Sequence, residues 1–212
     1  MTKLGFIRAG GLLMIISGLA LGYSYISHPQ HMPAEVIASS SWILIHALFA
    51  VSLVLGLLGT TALYAVTAQR AGRLGLTGYV MLFVGMMMIF GLDYYEVLIA
   101  PFMATNYPEV INDYGAGDTM GMVAFAFPVS GFLTVVGYAL LGTAWKRCRI
   151  IPGYLGLFLI LSAIAFGVGL SPAGDIEVAR ITAAVFGAAL VAVGISAMLQ
   201  NQNFNAAAGK HP

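Results

Sequence analysis

Two carboxylates and one histidine fall where charged and titratable groups are costly. Asp93 and Glu96 lie in the stretch 91–101, GLDYYEVLIAP, at the end of a long apolar run, and His46 lies inside another. A charge at the centre of a bilayer costs ~2.5–3.5 kcal/mol on insertion scales, and such residues turn toward the protein interior or a wet cavity. Residues three apart on a helix share a face, so Asp93 and Glu96 point the same way. Glu96 precedes Pro101 by five residues, about 7–8 Å below the helix end at ~1.5 Å per residue.

His46 is the only histidine within an apolar segment. The segments carrying His46 and Glu96 are expected to form an antiparallel hairpin through the turn around Ala71. His46 is 25 residues before that turn and Glu96 is 25 after it, which places them level, with Asp93 one turn deeper. His46 and Glu96 are therefore expected within hydrogen-bonding or shared-ligand distance. Tyr94 and Tyr95 are candidate hydrogen-bond donors to the carboxylates.

Three chemistries fit these residues. A buried imidazole–carboxylate pair can simply fix helix register. The same pair can bind a proton or a small ligand, because histidine titrates near neutral pH and a carboxylate partner tunes it. A metal site could draw on His28, His31, His46, Asp93 and Glu96, a donor set suited to zinc, iron or manganese; a metal-bound water would make the protein an enzyme. The first two histidines lie in the loop His28-Pro29-Gln30-His31-Met32-Pro33, which also reads as an exposed polar loop. No cofactor is indicated. A bis-histidine haem needs two histidines at matching depth, and only His46 is placed for it. There is no nucleophile elbow, dinucleotide fingerprint or phosphate loop.

The elements that must hold these residues follow from composition. The chain has 212 residues, 60% hydrophobic and 8% charged, against roughly a quarter charged in soluble domains. This is the composition of a membrane protein. Nine basic and eight acidic residues nearly cancel, so nucleic acid is not an expected partner. The single cysteine, Cys148, excludes an intramolecular disulfide. The N-terminal apolar run resembles a signal peptide but lacks a small-residue cleavage site, and is read as a retained first helix.

A spanning helix needs about 20 mostly apolar residues. The segments 7–26, 41–66, 76–100, 122–145, 151–170 and 179–199 meet this, predicting an all-α polytopic bundle of six transmembrane helices. The bundle is one domain over 1–200, followed by a short cytoplasmic tail, 201–212. Lys3, Arg8, Arg70, Arg73, Lys146, Arg147, Arg149 and Lys210 fall on the side of the termini, and only Arg180 falls opposite. Basic loops stay cytoplasmic, so both termini are expected inside.

Gly59, Gly137 and Gly194 centre similar stretches in the even helices, and Gly78-Tyr79 and Gly153-Tyr154 follow the two basic turns. Three repeated helical hairpins would produce this pattern, as would the small alphabet of membrane helices. Gly18 and Gly22, with Ala184, Ala188 and Ala192, suit close helix approach. Met81, Met86, Met87 and Met88 read as flexible core filler rather than copper ligands. Pro128 is expected to kink its helix.

Trp42 with His46, the run GLLGTTALY over 56–64, the turn Gly72-Arg73-Leu74-Gly75, Glu96 with Pro101, and Tyr107-Pro108-Glu109 carry a resemblance. On these motifs the chain resembles the uncharacterised small six-helix bacterial integral membrane proteins of the DUF4386-like group. The resemblance covers the second and third helices and the loop after them. It implies a bacterial plasma membrane and a site around His46 and Glu96, and supplies no reaction. The expected function is binding of a small ligand or proton at an outer-leaflet site, within the lipid bilayer and as a homo- or hetero-oligomer. A metal-dependent enzyme or a structural accessory subunit remain alternatives.

Overall fold

The computed structural model describes residues 3–29, 32–114, 123–171 and 175–208. They are all-α: α1 (Lys3–Ser27), α2 (Ala34–Ile37), α3 (Ser40–Leu98), α4 (Ala100–Asn106), α5 (Pro108–Tyr114), α6 (Val123–Arg147), α7 (Gly153–Gly169) and α8 (Ile176–Ala208). By length and composition four helices can cross a membrane; one is the run formed by α3 and α4, and the 17-residue α7 is shorter.

Local chemistry sets the helix ends. The Ser39 hydroxyl accepts from the Trp42 amide and starts α3, and the Asp175 carboxylate accepts from the Val178 amide at 2.8 Å and starts α8. Each side chain satisfies an amide that has no partner within the helix. At the end of α6, Ile150 N–H reaches the Trp145 carbonyl and Arg149 N–H the Lys146 carbonyl. Arg149 supplies the left-handed residue (φ 56°) of this Schellman turn.

The 59 residues of α3 are two helical arms broken at one residue. Gly72 has φ 56° and ψ −152°, a region open essentially to glycine alone. The chain reverses there: Tyr64 stacks on Tyr79 with ring centroids 4.5 Å apart, and Thr61 and Tyr79 hydroxyls lie 3.1 Å apart. The broad break expected over 69–73 is thus a single residue. The segment after Pro101, read as a loop, contains α4 and α5, and α6 continues through Pro128.

Each long segment packs antiparallel on its chain neighbour, and α8 closes back on α1. A methyl group on Gly59 would lie 2.9 Å from the Gly10 carbonyl oxygen of α1, and one on Gly11 would lie 2.7 Å from that of Gly194. Gly18 and Gly187 meet backbone to backbone in the same way. On α8 the closest approach therefore runs through Gly187 and Gly194; of the alanine stripe expected, Ala184 lies against Gly22 while Ala188 is exposed. Helices without a hydrophobic drive between them associate by such packing.

The middle of this circuit is filled by rings. Phe49, Tyr25, Phe166, Phe186 and Tyr138 form a chain with successive centroids 5.4, 5.0, 5.5 and 5.1 Å apart, linking α3, α1, α7, α8 and α6. Below it the Thr60 hydroxyl donates to Met14 Sδ at 3.5 Å and the Tyr138 hydroxyl to Met86 Sδ at 3.8 Å. Met86 is core filler as expected, whereas Met87 is 45% exposed on the outer surface. A second apolar cluster, Ala34, Ile37, Trp42, Ala100, Ala104 and Ile111, joins α2, α4 and α5 over the end opposite the Gly72 turn.

Candidate functional site

Beneath that second cluster the two arms of α3 bring His46 and Asp93 together. His46 Nδ1 and Asp93 Oδ1 are 2.6 Å apart, with the side chains 12% and 4% exposed. The far atoms of both groups, His46 Nε2 and Asp93 Oδ2, are buried and have no hydrogen-bond partner among the described residues. A buried polar atom without a partner costs about 1–3 kcal/mol. The pair is therefore half satisfied: one short bond shared, two positions open.

Rings flank the imidazole. Trp42 lies 4.4 Å from the His46 ring centroid and His28 lies 5.4 Å from it. Trp42 is fixed by an indole N–H that donates to the Glu96 backbone carbonyl at 3.1 Å. The His28 Nδ1–H donates to the Pro29 carbonyl at 2.9 Å. Burial holds the His28 imidazole below its ordinary value; the Pro29 carbonyl opposes this, and His46 and Arg180 add to the lowering. Tyr25, between Phe49 and Phe166 in the aromatic chain, lies within electrostatic reach of Asp93.

Arg180 closes the arrangement from α8. Its guanidinium donates to the Glu177 carboxylate and to the His28 backbone carbonyl, pinning the end of α1 to α8. Its Nε is buried without a partner among the described residues.

Of the two carboxylates, the one that His46 hydrogen-bonds is Asp93 and not Glu96, the partner expected within hydrogen-bonding or shared-ligand distance. Equal residue counts from the turn do not set the facing register. Tyr64 meets Tyr79, yet Trp42 reaches Glu96, which is 22 residues along one arm against 17 along the other. Side chains lean along the helix axis, so contacts drift from a simple count. The Glu96 carboxylate is half-buried, with no hydrogen bond to the described residues, though near enough to His46 and Asp93 to interact electrostatically. Tyr94 is 52% exposed beside Phe90, and Tyr95 packs against the second apolar cluster.

Of the five residues considered as metal ligands, His31 lies outside the described residues. Among those described, no three histidine, cysteine or acidic side chains gather as a ligand set. Sequence reasoning did not assign Arg180 or Tyr25 to the site. Arg180 had a legible signal, as the one basic residue outside the basic side. Tyr25 had none, since its position depends on how α1 meets α7.

Compared with protein-family models, curated proteins and solved structures, the chain finds no match in any of the three. The fold and the site define a class: an apolar helical bundle with a buried, half-satisfied imidazole–carboxylate pair near one end.

Proposed function

We propose that this is a multi-pass protein of a bacterial plasma membrane, six-spanning with both termini cytoplasmic, that binds a proton, or a small polar ligand in its place, at His46 and Asp93. Three features support six crossings. Each arm of α3 exceeds the ~20 residues a span requires, α7 reaches the lower end of that range, and neighbours alternate in direction. The one-sided basic residues support the orientation. For repeated hairpins, Gly59 and Gly137 both face the preceding helix; Gly194 instead faces α1, where the circuit closes. Membership of the DUF4386-like group rests on the motifs around His46 and Glu96.

The carrying observation is the 2.6 Å His46–Asp93 bond, with Nε2 and Oδ2 both buried and open. A proton between two such groups can reside on either, and the low dielectric makes the neutral pair and the ion pair differ strongly in their surroundings. Adding a proton leaves a charged imidazolium beside a neutral acid, or recruits a hydrogen-bond acceptor to Nε2. The outer end position gives the pair one near aqueous side.

The test is an infrared pH titration of the purified protein in lipid. A protonated-carboxyl band that grows as pH falls is expected in wild type. It should vanish in Asp93→Asn and shift in His46→Gln. A titration identical in wild type and Asp93→Asn would overturn the reading.

A further inference from the structure

The opposite end of the bundle carries a different chemistry. Arg70 and Arg73 on the α3 turn, and Lys146, Arg147 and Arg149 on the α6–α7 turn, are all exposed. The two turns adjoin. A methyl group on Gly75 would lie 3.6 Å from the Ala144 Cβ. Burial holds the Cys148 thiol above its ordinary value, and Arg70 is close enough to pull it the other way. Lys3 and Arg8 of α1 are exposed at the same end of the molecule.

The chain around these cations is free of acids. The stretches 36–92 and 119–174, which hold both turns, contain no aspartate or glutamate. The ion pairs among the described residues, His46–Asp93 and Arg180–Glu177, are at the far end. Immediately beyond the cations the outer wall is apolar: Leu76 is 51% exposed, Val80 50%, Tyr154 72% and Leu157 51%.

We propose that these two turns form a binding surface for the headgroups of anionic phospholipids. Guanidinium groups bind phosphate oxygens through paired hydrogen bonds, and a polybasic segment beside a membrane helix attracts anionic lipid. The adjoining apolar wall decides the partner. A phospholipid places phosphate against Arg70, Arg73, Lys146 and Arg147 while its acyl chains lie along Leu76, Val80 and Leu157. A soluble polyanion would meet the charges and leave that wall uncovered. The surface is independent of the His46–Asp93 site.

The experiment reconstitutes the full chain in nanodiscs of phosphatidylcholine with increasing phosphatidylglycerol, and measures protein-associated lipid by mass spectrometry after detergent extraction. Wild type should retain phosphatidylglycerol several-fold over its share of the bilayer, and rising salt should erase the preference, since exposed charges are screened. R70Q/R73Q/R147Q should retain both lipids in proportion, with unchanged helicity by circular dichroism. If that variant fails to fold, the salt series on wild type still decides. Equal retention by wild type, a preference that survives the triple substitution, or one indifferent to salt would overturn the proposal. Displacement of the lipid by inorganic phosphate would overturn the choice of a lipid partner.

Discussion

At the scale of single residues, the site behaves as a half-completed hydrogen-bond network, and truncation should expose this. Asp93→Ala removes the hydrogen-bond partner of His46 Nδ1 and leaves a buried imidazole with both nitrogens unpartnered. The loss expected is about 1–3 kcal/mol, read as a lower melting temperature in detergent. Asp93→Asn keeps the shape and a hydrogen-bonding atom, and should cost less. His28 gives a pH dependence of known sign. Its folded value lies below the ordinary one, so the unfolded chain binds its proton first. Above about pH 6.5 the histidine is neutral in both states and its contribution is fully present. As pH falls toward the depressed folded value, stability should fall. Melting of wild type against His28→Gln at about pH 7.5 and 5.5 checks this: the wild type should lose more on acidification. An equal loss would remove His28 as the cause.

At the scale of elements, two glycines carry much of the geometry for different reasons. Gly72 combines a positive φ with open space where a side-chain carbon would stand, so Gly72→Ala tests the backbone alone. It should cost about 1–3 kcal/mol, the range for a residue forced into a sparsely populated region. Gly18 has the reverse problem: a helical backbone with the Gly187 carbonyl against it. Gly18→Leu should push α1 off α8 and cost at least the ~1–3 kcal/mol of an overpacked contact. Thermal melting separates the causes: the loss at position 18 should grow with side-chain size from Gly18→Ala to Gly18→Leu, while Gly72→Ala and Gly72→Ser should lose alike, since the strain at 72 lies in the backbone and not in the space around it.

At the scale of the whole molecule, charge and composition divide the bundle into two ends. The proposed orientation predicts that, in a Cys148→Ser background, a cysteine at Arg73 is shielded from an impermeant reagent added outside intact cells. One at Glu109, which is exposed on α5, should react. Labelling at Arg73 with protection at Glu109 would invert the topology and move the basic surface to the other membrane face.

The sequence by itself determined the helical class, the apolar segments and the separation of basic from acidic ends, because these depend on composition summed over many residues. It also marked His46 and Asp93, since a titratable group in an apolar segment is an anomaly at any register. Only the tertiary structure decided that His46 bonds Asp93 and not Glu96, because the pairing turns on how the two arms of α3 lie against each other and where each side chain leans. Only the fold brought Arg180 to the His28 carbonyl and Tyr25 toward Asp93. Those contacts join segments more than a hundred residues apart in one case and nearly seventy in the other. Closing the circuit of helices through Gly11 and Gly18 against Gly194 and Gly187 is what makes such distant residues neighbours, and no local pattern encodes that closure.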